Sequence, residues 1–364
     1  MEKLEELMEK EPRALETISF GDEGVFSAMP TQSFVQLCKD HLRCFSFKHA
    51  HAYTPVDDED EENGIAYCWR QLTDYLEGCE HLEELHVLGL RHLGIWTGDD
   101  ESNFLEGKAQ LKLFHVTTSH QWEMWDYVDM FRVLADLQKA KYEAAAAAES
   151  NQLPPPPPFK LSIGGEPDLK QFGDASARSG IPLPMMGQLC VEECGEHGVQ
   201  KACEKLWSIL PGLQLASLSL HCCDGKEAGR LARSFMKEFE GRNETAARME
   251  LSLSMSHRSM DTVLARLREA VGLTPVVDRS SELGTLPDGD VVLQFESGGA
   301  EVRVFCPRSG CSHQSHHNTK MTMERKKKKG GCLVMKMKRT VMMTMIMDQR
   351  LRGAAIPARM DWSL

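Results

Sequence analysis

An α/β fold, built as an irregular solenoid with parallel strands on a concave face and helices outside, is predicted by three observations. A short apolar spacing of the form LxxLxL recurs along the chain: Leu42-Phe45-Phe47, Leu82-Leu85-Val87, Leu111-Phe114-Val116, Met186-Leu189-Val191 and Leu215-Leu218-Leu220, with weaker copies at Leu161-Ile163 and Leu251-Leu253. The last three positions of a copy alternate apolar, polar, apolar, the period of a strand with one buried face. Between copies the apolar period becomes helical. Finally, the interval 29 separates Leu82 from Leu111 and again Met186 from Leu215, a length that holds one strand, a turn and a return helix. Such a unit cannot bury its apolar face alone and must stack on its neighbours. Right-handed connections then produce one curved sheet.

The elements follow in order. Residues 1–40 read as a helical or irregular segment. A first repeat block spans 41–149. In it Ile65, Tyr67, Cys68, Leu72 and Leu76 make a helical stripe before Leu82, and Trp122, Trp125, Val128, Phe131 and Leu134 make another after Leu111. That second helix runs on through Ala144 to Ala148, which favour helix and offer little to pack. Residues 150–158 read as a proline-rich spacer, because Pro154 to Pro158 stop the helix and adopt polyproline geometry.

A second block, 159–306, carries three further stripes: Val199, Cys203, Leu206 and Leu210; Ala228, Leu231, Ala232, Phe235 and Phe239; and Val263, Leu264, Leu267 and Val271. It ends in a hairpin, Val291 to Phe295 and Val302 to Phe305, turned by Ser297-Gly298-Gly299. Trp69, Trp122, Trp125 and Trp207 all fall on helical stripes, which makes them core residues.

Residues 307–364 read as a disordered, basic, Met-rich tail with no hydrophobic period. Met is always ATG, so Met342-Met343 translates as acidic residues in the alternative phase; the tail reads as an out-of-frame copy of an acidic low-complexity tract. It holds a basic patch, Arg325 to Lys329, of the nuclear-localisation type, and a Cys/His cluster, Cys306, Cys311, His313, His316 and His317, whose spacing fits no common zinc finger.

Charge narrows the function classes. The net charge is −12, yet the tail alone carries 13 Lys and Arg against 3 Asp and Glu, leaving about −22 on the rest. That body repels phosphate, which excludes nucleic-acid binding by it. The densest run, Asp57 to Glu62, is a solvated loop. No apolar run approaches the roughly 20 residues that span a bilayer, and the first residues lack a signal-peptide pattern. The expected location is cytoplasmic or nuclear, with the 12 cysteines mostly buried as free thiols.

Catalytic signatures are absent: no Walker loop, no GxGxxG after a strand, no HExxH and no GxSxG occurs. No catalytic residue, cofactor or metal ligand is therefore assigned. The expected site is a partner-binding row on the concave face, formed by the polar residue between the last two apolar positions of each copy: Ser46, His86, His115, Ser162, Ser219 and Ser252.

The segment from His41 to Leu90, with its LRCFSF, Trp69 and CEHLEELHVLGL, resembles the leucine-rich-repeat region of fungal F-box-type substrate receptors, and LCVEECGEHGVQKACEKLWSIL and LQLASLSL are similar to it. No F-box module precedes His41. The resemblance implies a leucine-rich-repeat-like solenoid, a monomeric, non-enzymatic module for protein recognition, and a role as a substrate receptor in ubiquitin ligation with a Skp-type adaptor and cullin as partners. Two other readings stand beside it: a nuclear or chromatin-associated factor that contacts basic proteins through its acidic segments, and a hydrolase using a Cys/His pair near His221 and Cys222.

Overall fold

The computed structural model describes residues 15–20, 35, 38–48, 76–90, 105, 107–118, 122–151, 154–165, 167–194, 206–221, 224–241, 247–254 and 257–305. The acidic run, the Ile65 to Leu72 stripe and the tail with its basic and Cys/His motifs lie outside them, as do Val199, Cys203 and Cys222.

Eleven strands form one mostly parallel sheet. Eight follow one another in chain order: β1 (Thr17–Phe20), β2 (Cys44–Lys48), β3 (Glu84–Leu90), β4 (Leu113–Thr118), β5 (Phe159–Gly164), β6 (Met186–Cys194), β7 (Leu215–His221) and β8 (Ala247–Ser254). Each is parallel to the next. Among the described residues, four helices seen from end to end connect the strands or follow them: α1 (Met124–Asn151), α2 (Leu169–Ser179), α3 (Gly225–Phe239) and α4 (His257–Val271). The sheet starts earlier than expected, since β1 lies in the segment read as helical or irregular; Leu15-Ile18-Phe20 repeats the LxxLxL spacing there.

Strand register follows from the apolar alternation. Phe45, Leu85, Phe114, Leu161, Leu189, Ala216 and Met249 are partners in adjacent strands and all are buried. Slipping one strand by a residue would move its apolar set to the other face, so the row locks itself. Before several strands comes the same tight turn. Cys79 and Leu82 donate to the carbonyls of Leu76 and Cys79 at 3.1 and 3.3 Å, Lys108 and Leu111 to those of Leu105 and Lys108 at 3.2 and 2.9 Å, and Leu210 and Leu213 to those of Trp207 and Leu210 at 3.1 and 3.0 Å. Bonds three residues apart stack the side chains on one edge, which explains the buried, every-third-residue pattern. Gly78 and Gly107, at φ 73° and 72°, take the left-handed turn position that a side chain resists.

Aromatic residues pack the helices against one another and against the segments beside them. Trp122 stacks on Tyr127 at 4.9 Å, and Phe172 of α2 meets Tyr127 and Phe131 of α1 at 5.7 and 5.2 Å. Trp207 lies edge-on to Phe235 at 5.3 Å, so Trp122 and Trp207 are core residues, while the side chains of Trp69 and Trp125 lie outside the described residues. Helix α2 is capped at both ends. Asp168 accepts from the amides of Lys170 and Gln171 at 2.8 and 3.1 Å, and Gly180 closes the other end at φ 61°. Between α1 and β5 run Pro154 to Pro158, while β4 and β5 pair directly, so the sheet continues across the proline segment.

The expected hairpin forms from β10 (Val291–Ser297) and β11 (Ala300–Phe305), joined by Gly298-Gly299 at φ 51° and 94°, the positive-φ pair of a tight hairpin. It does not stand apart. β11 lies parallel to β8 and extends the sheet, β10 runs antiparallel beyond it, and β9 (Val277–Asp278) forms the outer edge.

Candidate functional site

Alternation along each strand leaves one face of the sheet polar. Ser46, His86, His115 and Ser162 are partners across β2, β3, β4 and β5, which brings four of the expected row together. Ser162 is buried and the other three are half-buried. The row continues through Cys190, Ser217, Glu250 and Arg303. Ser219 and Ser252 pair with each other on the same face, two residues further along their strands.

That offset has a physical origin. Ala216 occupies the core position equivalent to Leu85 and Leu189, and the copy in β7 is Leu213-Ala216-Leu218 rather than Leu215-Leu218-Leu220. A small residue at the core position hides the repeat frame. Cys190 sits between Leu189 and Val191 and carries the same signature as His86, so spacing alone marks its position.

The densest chemistry lies on β2 to β4. His86 and His115 approach with Nδ1 atoms 3.4 Å apart, their rings edge-on at 77°. Two imidazole nitrogens at that distance need one proton between them, so one ring donates and the other accepts. Burial chiefly holds His115 below the ordinary imidazole value, against the pull of Glu192 and with the push of His86 and Lys160. Its Nε2 is buried without a hydrogen-bond partner. On the other side of His86, Nε2 lies 3.5 Å from Glu84 Oε2. Cys44 pairs with Glu84 in register. Burial, then the charge and hydrogen bond of Glu84, push the Cys44 thiol up to about 11. The donor atoms of Cys44, Glu84 and His86 all lie within 4.8 Å of one another.

Cys190 is raised by burial, opposed by Lys160 and by hydrogen bonds with Ser162 and Ser217. Buried Cys38 and Cys79, in the turns before β2 and β3, are raised as well, Cys38 to about 11. A nucleophilic cysteine needs the opposite shift. None of these four cysteines is therefore activated, and the side chains of Cys194, His221 and Cys222 lie outside the described residues.

Ion pairs lie just ahead of β2 to β4 and on the polar face at β8 and β11. Glu83 accepts from Arg43 at 2.5 Å and Lys112 at 2.6 Å, which holds its carboxyl below the ordinary value. In the second group Glu301 joins Arg248 at 2.8 Å and Arg303 at 2.6 Å. Where the first strands begin, Glu16, Asp40, His41, Arg43 and His81 line a small polar pocket. Among the described residues no helix is long and apolar enough to cross a membrane.

No family model, curated protein or solved structure matches the chain.

Proposed function

We propose that the chain is an irregular leucine-rich-repeat-like solenoid that recognises another protein through the polar face of its sheet, without catalysing a reaction. The observation that supports this most is the unbroken register row from Ser46 through His86, His115, Ser162 and Cys190 to Ser217. Parallel strands stacked in chain order offer side chains at a fixed spacing of roughly 4.8 Å, a rigid grid on which a partner's groups are read at little entropic cost. The raised cysteines count against thiol chemistry on the same face.

Within this reading, the partner role is that of a substrate receptor in ubiquitin ligation, working as a monomer in the cytoplasm or nucleus. Affinity capture from cells with the full chain, compared with His115→Glu and Ser217→Arg variants, tests it. The expected result is a protein lost from both variants and retained by a Tyr142→Ala control on the helical side. Recovery of a Skp-type adaptor and cullin supports the receptor role. Recovery of histones or importins instead supports a nuclear factor, and equal capture by wild type and both variants overturns the face as the binding surface.

A further inference from the structure

We propose that Cys44, Glu84 and His86 bind a divalent transition ion of the zinc class on the polar face of the sheet, with a fourth coordination position open to solvent. The site shares His86 with the recognition row, yet ion binding does not require that a partner be recognised there. It arises because register pairs Cys44 with Glu84 on neighbouring strands, while His86 follows Glu84 by two residues and so shares its face. Sulfur, nitrogen and oxygen donors converge within 4.8 Å. A tetrahedral ion with bonds of about 2.1 Å holds its ligand atoms about 3.4 Å apart; His86 Nε2 and Glu84 Oε2 already stand at 3.5 Å. Glu84 is half exposed and can turn to close the remaining gap, whereas Cys44 and His86 are half-buried and offer fixed anchors.

The donor set selects the metal. A thiolate with an imidazole suits zinc, cobalt or copper and disfavours calcium and magnesium, which take oxygen. Binding replaces the hydrogen bond between the Cys44 thiol and the Glu84 carboxylate: the hydrated ion loses water molecules, the sulfur–metal bond forms, and the thiol proton passes to solvent. One thiolate and one carboxylate then balance the two positive charges, so the fourth ligand is neutral water. His115 supplies the outer contact. With Nε2 of His86 on the metal, its Nδ1–H donates to Nδ1 of His115, 3.4 Å away, the arrangement that orients metal-bound histidines.

Titration of the reduced full chain with cobalt(II) tests the site. The expected result is one saturable site with a thiolate-to-cobalt charge-transfer band and the visible bands of tetrahedral cobalt. Cys44→Ser should abolish the charge-transfer band, and Glu84→Gln should weaken cobalt and zinc binding by at least about tenfold with an unchanged circular dichroism spectrum. A Cys306→Ser, Cys311→Ser double variant should keep the band. Absence of binding, persistence of the band in Cys44→Ser, or its loss in the double variant overturns the proposal. If Cys44→Ser does not fold, Glu84→Gln decides, and unchanged affinity there overturns the site.

Discussion

Trp122 donates its indole N–H to the carbonyl oxygen of Gly164 across 2.9 Å, tying the start of α1 to the end of β5. The bond lies in the buried interior, where an abandoned carbonyl cannot turn to water.

Trp122→Phe should therefore cost about 1–3 kcal/mol, the penalty for leaving a buried acceptor unmatched. Urea unfolding measures the loss. Hydrogen exchange should quicken first in α1 and α2, which share the aromatic cluster around Tyr127 and Phe172. Uniform exchange across the sheet would contradict that placement.

Helices α3 and α4 approach too closely for a side chain at two glycines. A Cβ on Gly225 would stand 2.1 Å from the Val263 carbonyl oxygen, and one on Gly229 would stand 2.6 Å from both the Leu267 carbonyl oxygen and Ala270 Cβ. Alanine in a helix interior normally gains about 1 kcal/mol over glycine. Here the overlap is with backbone, so Gly225→Ala and Gly229→Ala should each be destabilising by about 1–3 kcal/mol. Thermal unfolding decides the sign.

Lys141 is fully buried in α1, its ammonium donating to the carbonyls of Ala109 and Pro157, both at 2.8 Å. Burial, with Lys112 adding to it, pulls its value down to about 8. The unfolded chain keeps an ordinary lysine, so between pH 8 and about 10.5 it binds more protons than the folded chain. Stability from this group must rise with pH across that window, by at most about 3 kcal/mol, and stay level below it. Lys141→Met should erase the rise while leaving the two carbonyls without a donor. Denaturation curves of both proteins at pH 7.5, 8.5 and 9.5 give the comparison.

The raised thiols of Cys38, Cys44, Cys79 and Cys190 should alkylate far more slowly than a free cysteine at pH 7.5, because only the thiolate attacks. Peptide-resolved mass spectrometry after iodoacetamide treatment checks each. Rapid labelling of Cys190 in the folded chain would reopen thiol chemistry on the polar face.

Much of the sheet was legible because large residues mark its core row: Phe45, Leu85, Phe114 and Leu189 fall where the spacing places them. Reading failed where size or distance removed the mark. Ala216 is too small to announce a core position, so the frame in β7 slid onto Leu215 and selected Ser219 in place of Ser217. Helix α2 is short, and its signal is the pair of caps, Asp168 and Gly180, rather than a long stripe. Strand β11 reveals itself as half of a hairpin, but nothing local announces that it pairs with β8. Cys44 and Glu84 hold the same place in successive copies, one residue before Phe45 and Leu85, so the spacing aligns them; that their donor atoms converge with His86 depends on side-chain directions, which spacing does not give.

The hairpin's return to the sheet also determines what the outermost strand can do. Past β8, the last strand is β9, only Val277 and Asp278, and Arg268 of α4 binds the Asp278 carboxylate at 2.7 Å. An intruding chain finds only a two-residue strand laid over Leu293 and Gln294, with a charge already fastened beside it. Lateral polymerisation, the standing hazard of long repetitive sheets, is thus hindered at the middle of this border by a stub two residues long.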